Sequence, residues 1–498
     1  MASIEELRAD RLKKKALLEA NGMNPYPAES HRTDTIEVFL GRFNEYEASK
    51  ETRTLAGRVM SKRGQGGIAF CDLYDGTQKV QAFFKADEMD KSVYDLFNDT
   101  VDIGDFIEVT GIAYTTQRGA PSIFARGWTM LTKSLLPLPD AWSGFKDEDE
   151  RFRKRYLDIL MNEEIRDIVY KRSIFWNTMR QFLLERNFVE VETPVLENTT
   201  GGADARPFIT HHNALDMEVY LRISAGELWQ KKLLVAGIPR TFEIGRIFRN
   251  EGVSSEHLQD YTQLEYYMAY SDYVEGMKMT KDLYRLIAEK TFGTTVFNIR
   301  GYEVDLNKEW EIYDYIEIIK TNYSIDISNV TENESDENWK VIEDIEKALQ
   351  KNKIDFDHFT ISIERGVDLL WKKVRKTLAG PGFLINVPVY LEPLAKRNRN
   401  NNATVERFQV ILAGSEMGKG FSELNDPVDQ RERFEKQQAL RDAGDDEAQM
   451  ADMDFVEALE HGMPPAFGFG CSERLFSFLM DKPVRETQLF PLLKPKNE

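Results

Sequence analysis

The spacing of hydrophobic positions changes in character along the chain. Residues 4–21 place apolar and charged side chains at helical intervals and stop at Asn21-Gly22, which predicts a charged amphipathic helix. Residues 23–50 carry Pro25 and Pro27 and then a second helical stretch, so residues 1–50 are expected to form an N-terminal helical extension. From Thr54 the pattern shifts to short strand-like runs: Leu55–Met60, Ile68–Tyr74 and Lys79–Phe84, divided by Gly64–Gly67 and Asp75-Gly76-Thr77. Phe106–Thr115 and Ser122–Leu131 read as two more strands, and Asp87–Phe97 as a helix between the third and fourth. Five strands with a helix in that place predict a small closed barrel of the OB type over residues 51–135; a generic sandwich has the same strand count.

Residues 136–160 hold Pro137, Pro139, Gly144 and an acidic run, the composition of a linker. Beyond it, residues 161–498 read as one large unit. A helix over Glu164–Asn187 places Phe175, Met179 and Phe182 on one face. Strand-like runs follow at Val189–Val195, Val219–Ile223, Thr241–Ile247, Thr262–Ala269, Phe383–Val389, Arg407–Ala413 and Gly418–Glu423. They do not alternate regularly with helices, so a mostly antiparallel sheet flanked by helices is expected and the fold class is α+β. Residues 300–380 are polar and helix-rich, without recognisable chemistry.

Composition narrows the function classes. No stretch reaches ~18 apolar residues, which argues against a transmembrane helix, and the N-terminus lacks the apolar run of a secretory signal. Cys71 and Cys471 have no near partners, so neither a disulfide framework nor a zinc site is expected, and a reducing cytoplasm fits. The formal net charge of −19 taken alone disfavours nucleic-acid binding, although it leaves room for local basic patches. Arg151–Arg155 reads as a linker charge cluster; for Arg11–Lys15 a solvated helix face and a functional patch stay open.

Three segments carry candidate chemistry. Phe188–Leu196 leaves a helix and becomes a strand that meets Pro194, a residue suited to an edge or interface. Thr241–Glu251, the loop Gly252–Asp260 and Tyr261–Ala269 read as strand, loop, strand, with Glu243, Arg249 and Glu251 expected on one face beside Glu265 and Tyr267. A face with an arginine and several carboxylates is either a solvated ion-pair ladder or a site. In Gly468-Phe-Gly-Cys-Ser-Glu-Arg474 the glycines permit close approach of a ligand, and the arginine opens an apolar helix where an anion would sit.

Together these segments resemble motifs 1, 2 and 3 of the class II aminoacyl-tRNA synthetases, at about residues 188–196, 241–269 and 468–479 and in the correct order. Three further strings, Thr200–Asp216, Leu394-Ala-Lys396 after Pro388-Val, and Gly420-Phe-Ser-Glu-Leu-Asn-Asp426, resemble the lysyl members of that class. The resemblance covers nearly the whole chain. It implies an ATP-dependent ligase that activates L-lysine and charges tRNA(Lys), with Mg2+, as a cytoplasmic homodimer joined through the motif 1 region, with no membrane or DNA partner.

The resemblance also assigns roles. Arg249 would bridge the substrate carboxylate and the α-phosphate, and Arg474 would hold the γ-phosphate and stack on adenine. Glu251 and His257 would contact the nucleotide, Tyr261 would stack on adenine, and Glu416 would ligate Mg2+. Glu227 and Glu265, with the Gly202 backbone nearby, would meet the α-ammonium. Glu423 and Tyr267 would capture the ε-ammonium, and Phe421 would line the stem. On the barrel, Arg63, Phe70 and Gln81 match anticodon-contacting positions.

The chain departs from the family at five places. Lys419 stands beside the substrate carboxylate where asparagine is usual, and Gln409 where a second metal-binding glutamate is usual. Glu256 replaces a loop arginine of motif 2, Glu473 replaces aspartate in motif 3, and one extra residue lies between Ile223 and Gly226. Two other readings are a class II paralogue that lysylates a protein and an inactive RNA-binding regulatory homologue.

Overall fold

Ser3 starts the first helix, α1 (Ile4–Ala20), through a reciprocal cap: its hydroxyl accepts from the Glu6 amide while the Glu6 carboxylate accepts from the Ser3 amide. Helices α2 (Ile36–Gly41) and α3 (Phe43–Ser49) follow. The computed structural model describes residues 3–139, 147–203, 205–252, 254, 256–328, 330, 336–356, 361–442 and 449–496. The chain divides into two units, Met1–Met161 and Asn162–Glu498.

In the first unit, β1 (Arg53–Gln65), β2 (Ile68–Tyr74), β3 (Lys79–Lys85), β4 (Phe106–Thr115) and β5 (Pro121–Thr132) close into a barrel of order β1-β2-β3-β5-β4, with α4 (Lys91–Thr100) between β3 and β4. Only β3 and β5 pair in parallel. Strand alternation turns Val59, Phe84, Val109 and Met130 inward, and Leu18, Ile36, Phe39 and Tyr46 from the three helices join the same core. The Arg11 guanidinium is tied down by the Ile103, Ser134 and Leu136 carbonyls, and Lys14 by Asp102 at 2.7 Å. Those two cations of the Arg11–Lys15 run therefore serve packing. Of the stretch expected to be a linker, residues 140–146 lie outside the described residues, and α5 (Glu148–Arg153) and α6 (Arg155–Met161) follow. Arg151 and Arg155 both pair there with buried Asp158.

The second unit is built on one eight-stranded sheet. Its parts in chain order are α7 (Glu163–Leu184), β6 (Val189–Glu190), α8 (Glu227–Val235), β7 (Arg240–Phe248), β8 (Asp260–Ala269), α9 (Tyr273–Phe292), β9 (Glu311–Asp314), β10 (Gly382–Ile385), β11 (Arg407–Leu412), β12 (Ser415–Ser422) and β13 (Ala466–Ser472). The order is β9-β10-β11-β12-β13-β8-β7-β6. The edge pairs β9/β10 and β7/β6 are parallel and the other five are antiparallel. One face stacks Phe408, Phe467 and Phe469. Helix α9 approaches them closely, since a Cβ on Gly276 would meet the Phe467 ring at 2.2 Å. The other face carries the polar side chains described below.

Two runs are shorter than expected. Val189–Val195 gives only a two-residue strand beside β7; the chain then leaves the sheet, and Leu196–Glu197 pairs with Met217–Leu221 in a separate small sheet. Pro194, which has no N–H to donate, lies between the two pairings. Phe383–Val389 ends as a strand at Ile385 and turns at Pro388 into a short 3-10 helix.

The fully buried Lys133 ammonium is the main electrostatic anchor of the barrel. It donates to the Thr100 carbonyl, Asp102 and Asp105 at 2.6–2.7 Å. Lys133→Met would leave Asp105 buried and unpaired, and should cost about 3–5 kcal/mol in urea unfolding followed on the barrel tryptophan Trp128.

Candidate active site and nucleic-acid interface

Sheet register builds the site. Two adjacent rows of cross-strand partners run over the polar face: Glu243, Glu265, Gly470, Lys419 and Gln409 in one, Thr241, Tyr267, Gly468, Phe421 and Arg407 in the next. The glycines of β13 lie mid-row and leave the space of the cavity floor. A Cβ on Gly468 would lie 2.1 Å from Glu423 Oε1 and 2.5 Å from the Tyr267 ring. The resulting cavity is about 670 Å³.

Every second-unit residue expected to bind lysine, nucleotide or metal lines this cavity. Arg249, Glu251 and His257 come from the connection between β7 and β8, and Tyr261 from β8; Gln409, Glu416, Lys419 and Phe421 come from β11 and β12. Gly202, Glu227, Glu265, Tyr267, Glu423 and Arg474 complete the set. Part of the strand expectation is corrected. Arg249 and Glu251 lie beyond the end of β7, and Glu243 does not line the cavity: its carboxylate accepts from Arg222 at 2.5 Å and from the Thr193 hydroxyl at 2.6 Å. That pairing braces the chain just before Pro194.

The most buried wall is acidic. Glu265 Oε1 accepts from the Ala225 amide at 2.9 Å and Gln263 at 2.7 Å, and its Oε2 accepts from the Tyr267 hydroxyl at 2.9 Å. Glu227 opens α8 beside Gly202, where a Cβ would meet Glu227 Oε2 at 3.0 Å. Glu423 is fully buried. Burial pushes the Glu265 carboxyl upward, reinforced by Glu227, and burial does the same to Glu423 against the pull of Lys231.

The remaining walls mix cations with carboxylates. Arg249 Nε donates to the Ile223 carbonyl at 3.2 Å, with its guanidinium 5.9 Å from the Tyr261 ring centre. Arg474 pairs with Glu256, which also accepts from Arg300 at 2.5 Å. Burial, then Arg474, holds the His257 imidazole below its ordinary value, and its Nδ1 lies 2.7 Å from the Ser254 hydroxyl. Glu416 accepts from the Trp371 indole at 2.6 Å, and the Gln409 amide oxygen accepts from Arg407 at 2.6 Å. Lys419 Nζ reaches Glu392 at 3.3 Å. Trp371, Glu392 and Arg407 were not anticipated; nothing in their local sequence marks them. Lys231 was also missed, although its place four residues after Glu227 puts both on one helix face.

For Mg2+ the donor set is thin. Glu416 offers a hard carboxylate oxygen, while Gln409 offers a neutral amide whose oxygen is engaged by Arg407. Among the described residues no group of three or more acidic, His or Cys side chains could hold a metal ion, and no helix is long and apolar enough to cross a membrane.

On the barrel, Arg63 and Phe70 are register partners, with the guanidinium 5.7 Å from the ring centre. Phe70 stacks on Phe83 at 4.8 Å, and Phe83 contacts Tyr114 and Phe124. Gln81 lies on β3 with its Oε1 3.4 Å from the Ser122 hydroxyl. The structure thus extends one anticipated aromatic into a half-exposed cluster of four, flanked by Arg63 and Arg126.

Comparison with known proteins agrees with both units. The family described as tRNA synthetases class II (D, K and N) matches residues 147–494, and the OB-fold nucleic acid binding domain matches residues 54–131. Lysine–tRNA ligase of Moorella thermoacetica is 41% identical over 497 residues, 99% of either chain. That of Roseiflexus sp. is 41% identical over 99% of this chain and 100% of its own. That of Thermotoga maritima is 39% identical over 99% and 97%. On these matches the chain belongs to the class II tRNA synthetases, in the lysine–tRNA ligase family.

Proposed function

We propose that the chain is a lysine–tRNA ligase that activates L-lysine with ATP and transfers it to tRNA(Lys). The observation that carries this reading is the meeting of Glu227, Glu265 and Glu423 with Arg249 and Arg474 in one cavity. An amino-acid carboxylate and a triphosphate repel one another, so cations fixed beforehand must offset their charge as they approach. Arg249 bridges the carboxylate and the α-phosphate. The carboxylate oxygen then bonds to the α-phosphorus, pyrophosphate leaves, and Arg474 supports the departing charge. Glu251, His257 and Tyr261 hold the nucleotide. Glu227 and Glu265, beside Gly202, receive the α-ammonium; Glu423 and Tyr267 receive the ε-ammonium along Phe421. A neutral side chain would leave Glu423 buried without its ligand, the costly mismatch that separates lysine from norleucine, which ends in a methyl group one atom short of the ammonium. Lys419 adds a cation on the substrate-carboxylate side.

Glu416 with the triphosphate oxygens suits one Mg2+, which when bound supplies positive charge to the phosphates. Residues 51–135 read the anticodon through Arg63, Phe70 and Gln81, and residues 161–498 carry the chemistry. Val189, Val195 and Leu196, exposed around motif 1, support a homodimer joined there.

Lysine should support exchange of pyrophosphate into ATP and the other amino acids should not. Arg249→Ala should lower that exchange by about 10²–10³-fold or more. Exchange driven equally well by neutral amino acids would defeat the substrate reading. Phe70→Ala should raise the KM for tRNA about 5–150-fold, the value of one stacked base at ~1–3 kcal/mol, while exchange stays within twofold of wild type.

A further inference from the structure

Lys231 does not line the cavity, yet the acidic wall is built against it. It lies one turn after Glu227 on α8 and is 1% exposed. Its Nζ sits 2.7 Å from Glu227 Oε1 and 2.5 Å from Glu423 Oε2. The Phe421, Tyr267 and Phe455 rings surround it at 5.3–5.9 Å. Neither Glu423 oxygen has a hydrogen-bond partner among the described residues; Oε2 has the Lys231 ammonium as its ion-pair partner and Oε1 has none. A buried carboxylate oxygen without a partner, in a residue that lines a cavity, is a place for a ligand's donor.

The charges then add up to a specification. When ionised, Glu227, Glu265 and Glu423 carry three negative charges and Lys231 one positive, which leaves two negative charges in a space with little water to screen them. A ligand with two ammonium groups neutralises that remainder; a ligand with one leaves a buried charge behind. We propose that Lys231 is a positioning residue for amino-acid specificity: from behind the wall it fixes one oxygen each of Glu227 and Glu423, favours the charged form of Glu423, and sets the pocket's charge to match a diammonium substrate. The proposal rests on the lysine reading above and adds to it a residue that the substrate does not touch.

Around Glu423 the titratable neighbours are Lys231 and Glu227 from α8 and Glu265 and Tyr267 from β8. Burial drives Glu423 toward its neutral form, and Lys231 is the largest opposing influence. Without that ammonium the carboxyl is driven further toward its neutral form. A protonated acid distinguishes an ammonium from a methyl group far less well than a carboxylate does. Because the group's pKa then rises, its ionised form returns only as pH rises.

The test is pyrophosphate exchange by Lys231→Met and Lys231→Gln from pH 6.5 to 8.5, with lysine and norleucine as substrates. At pH 7 the lysine KM should rise at least tenfold while the ATP KM stays within twofold. Discrimination between lysine and norleucine should fall at least tenfold. The pH profile of the lysine KM should move upward by about one unit or more, as a carboxyl losing its counter-charge requires. An unchanged lysine KM, equal losses for lysine and ATP, or intact discrimination would overturn the role. If neither variant folds, the wild-type chain carries the test, by calorimetric titration with lysine at pH 8 in two buffers of different ionisation heat. Release of less than half a proton per lysine supports a Glu423 already ionised, and release of half a proton or more overturns it. Wild-type exchange with lysine is the control. Its absence removes the lysine reading, whereas its presence with unmoved variants removes only the role of Lys231.

Discussion

Burying three carboxylates between one sheet face and α8 is the constraint around which the second unit is organised. Each loses its hydration and must recover it from fixed donors, or it will neutralise. Glu265 recovers it from the Ala225 amide, Gln263 and Tyr267, and Glu227 and Glu423 share Lys231. Those donors come from α8, from the turn that precedes it and from β8, elements distant in sequence. The acidic wall therefore exists only when the sheet and α8 are assembled. Such an arrangement is a poor source of stability. What it offers is a fixed field in a desolvated cavity, which a cationic ligand completes without reorganising the protein.

The sheet makes this field affordable through its two faces. Phe408, Phe467 and Phe469 stack on the side toward α9 and supply the apolar burial. The same strands turn Arg407, Gln409, Gly468 and Gly470 to the cavity, and the missing side chains of the two glycines are what keep it open. One strand, β13, thus alternates between core aromatics and the floor of the site. A one-residue slip would put Phe469 into the cavity and Gly470 into the core.

Much of this was legible in the chain because strand periodicity and short motifs are local signals. The five barrel strands and the helix between them read directly, as did the hairpin of β7 and β8. Val189–Val195 looked like one strand because its apolar alternation is continuous; only the tertiary structure reveals that its two ends belong to different sheets. Glu243 looked like a site residue because alternation places it opposite Glu265, which it is; the Arg222 guanidinium that engages it comes from elsewhere in the chain. Phe83, Tyr114 and Phe124 each read as ordinary barrel residues. They become a cluster with Phe70 only once the barrel closes and brings β5 beside β3, with β4 next in order.

The two ends of the cavity answer the same electrostatic problem differently. At the acidic end, Lys231 balances Glu423 from outside the cavity, so on the lysine reading a substrate ammonium would reach Glu423 Oε1 without displacing it. At the phosphate end, the balancing group of Arg474 is Glu256, which lines the cavity itself and also holds Arg300. On the proposed reading, a triphosphate approaching Arg474 would meet a carboxylate already in place, and like charges close together are costly in a partly desolvated space. The acidic end is preorganised for its ligand as it stands. On the proposed reading, binding a triphosphate there would exchange an internal anion, Glu256, for an external one, with Arg300 and Arg474 held until then by the same carboxylate.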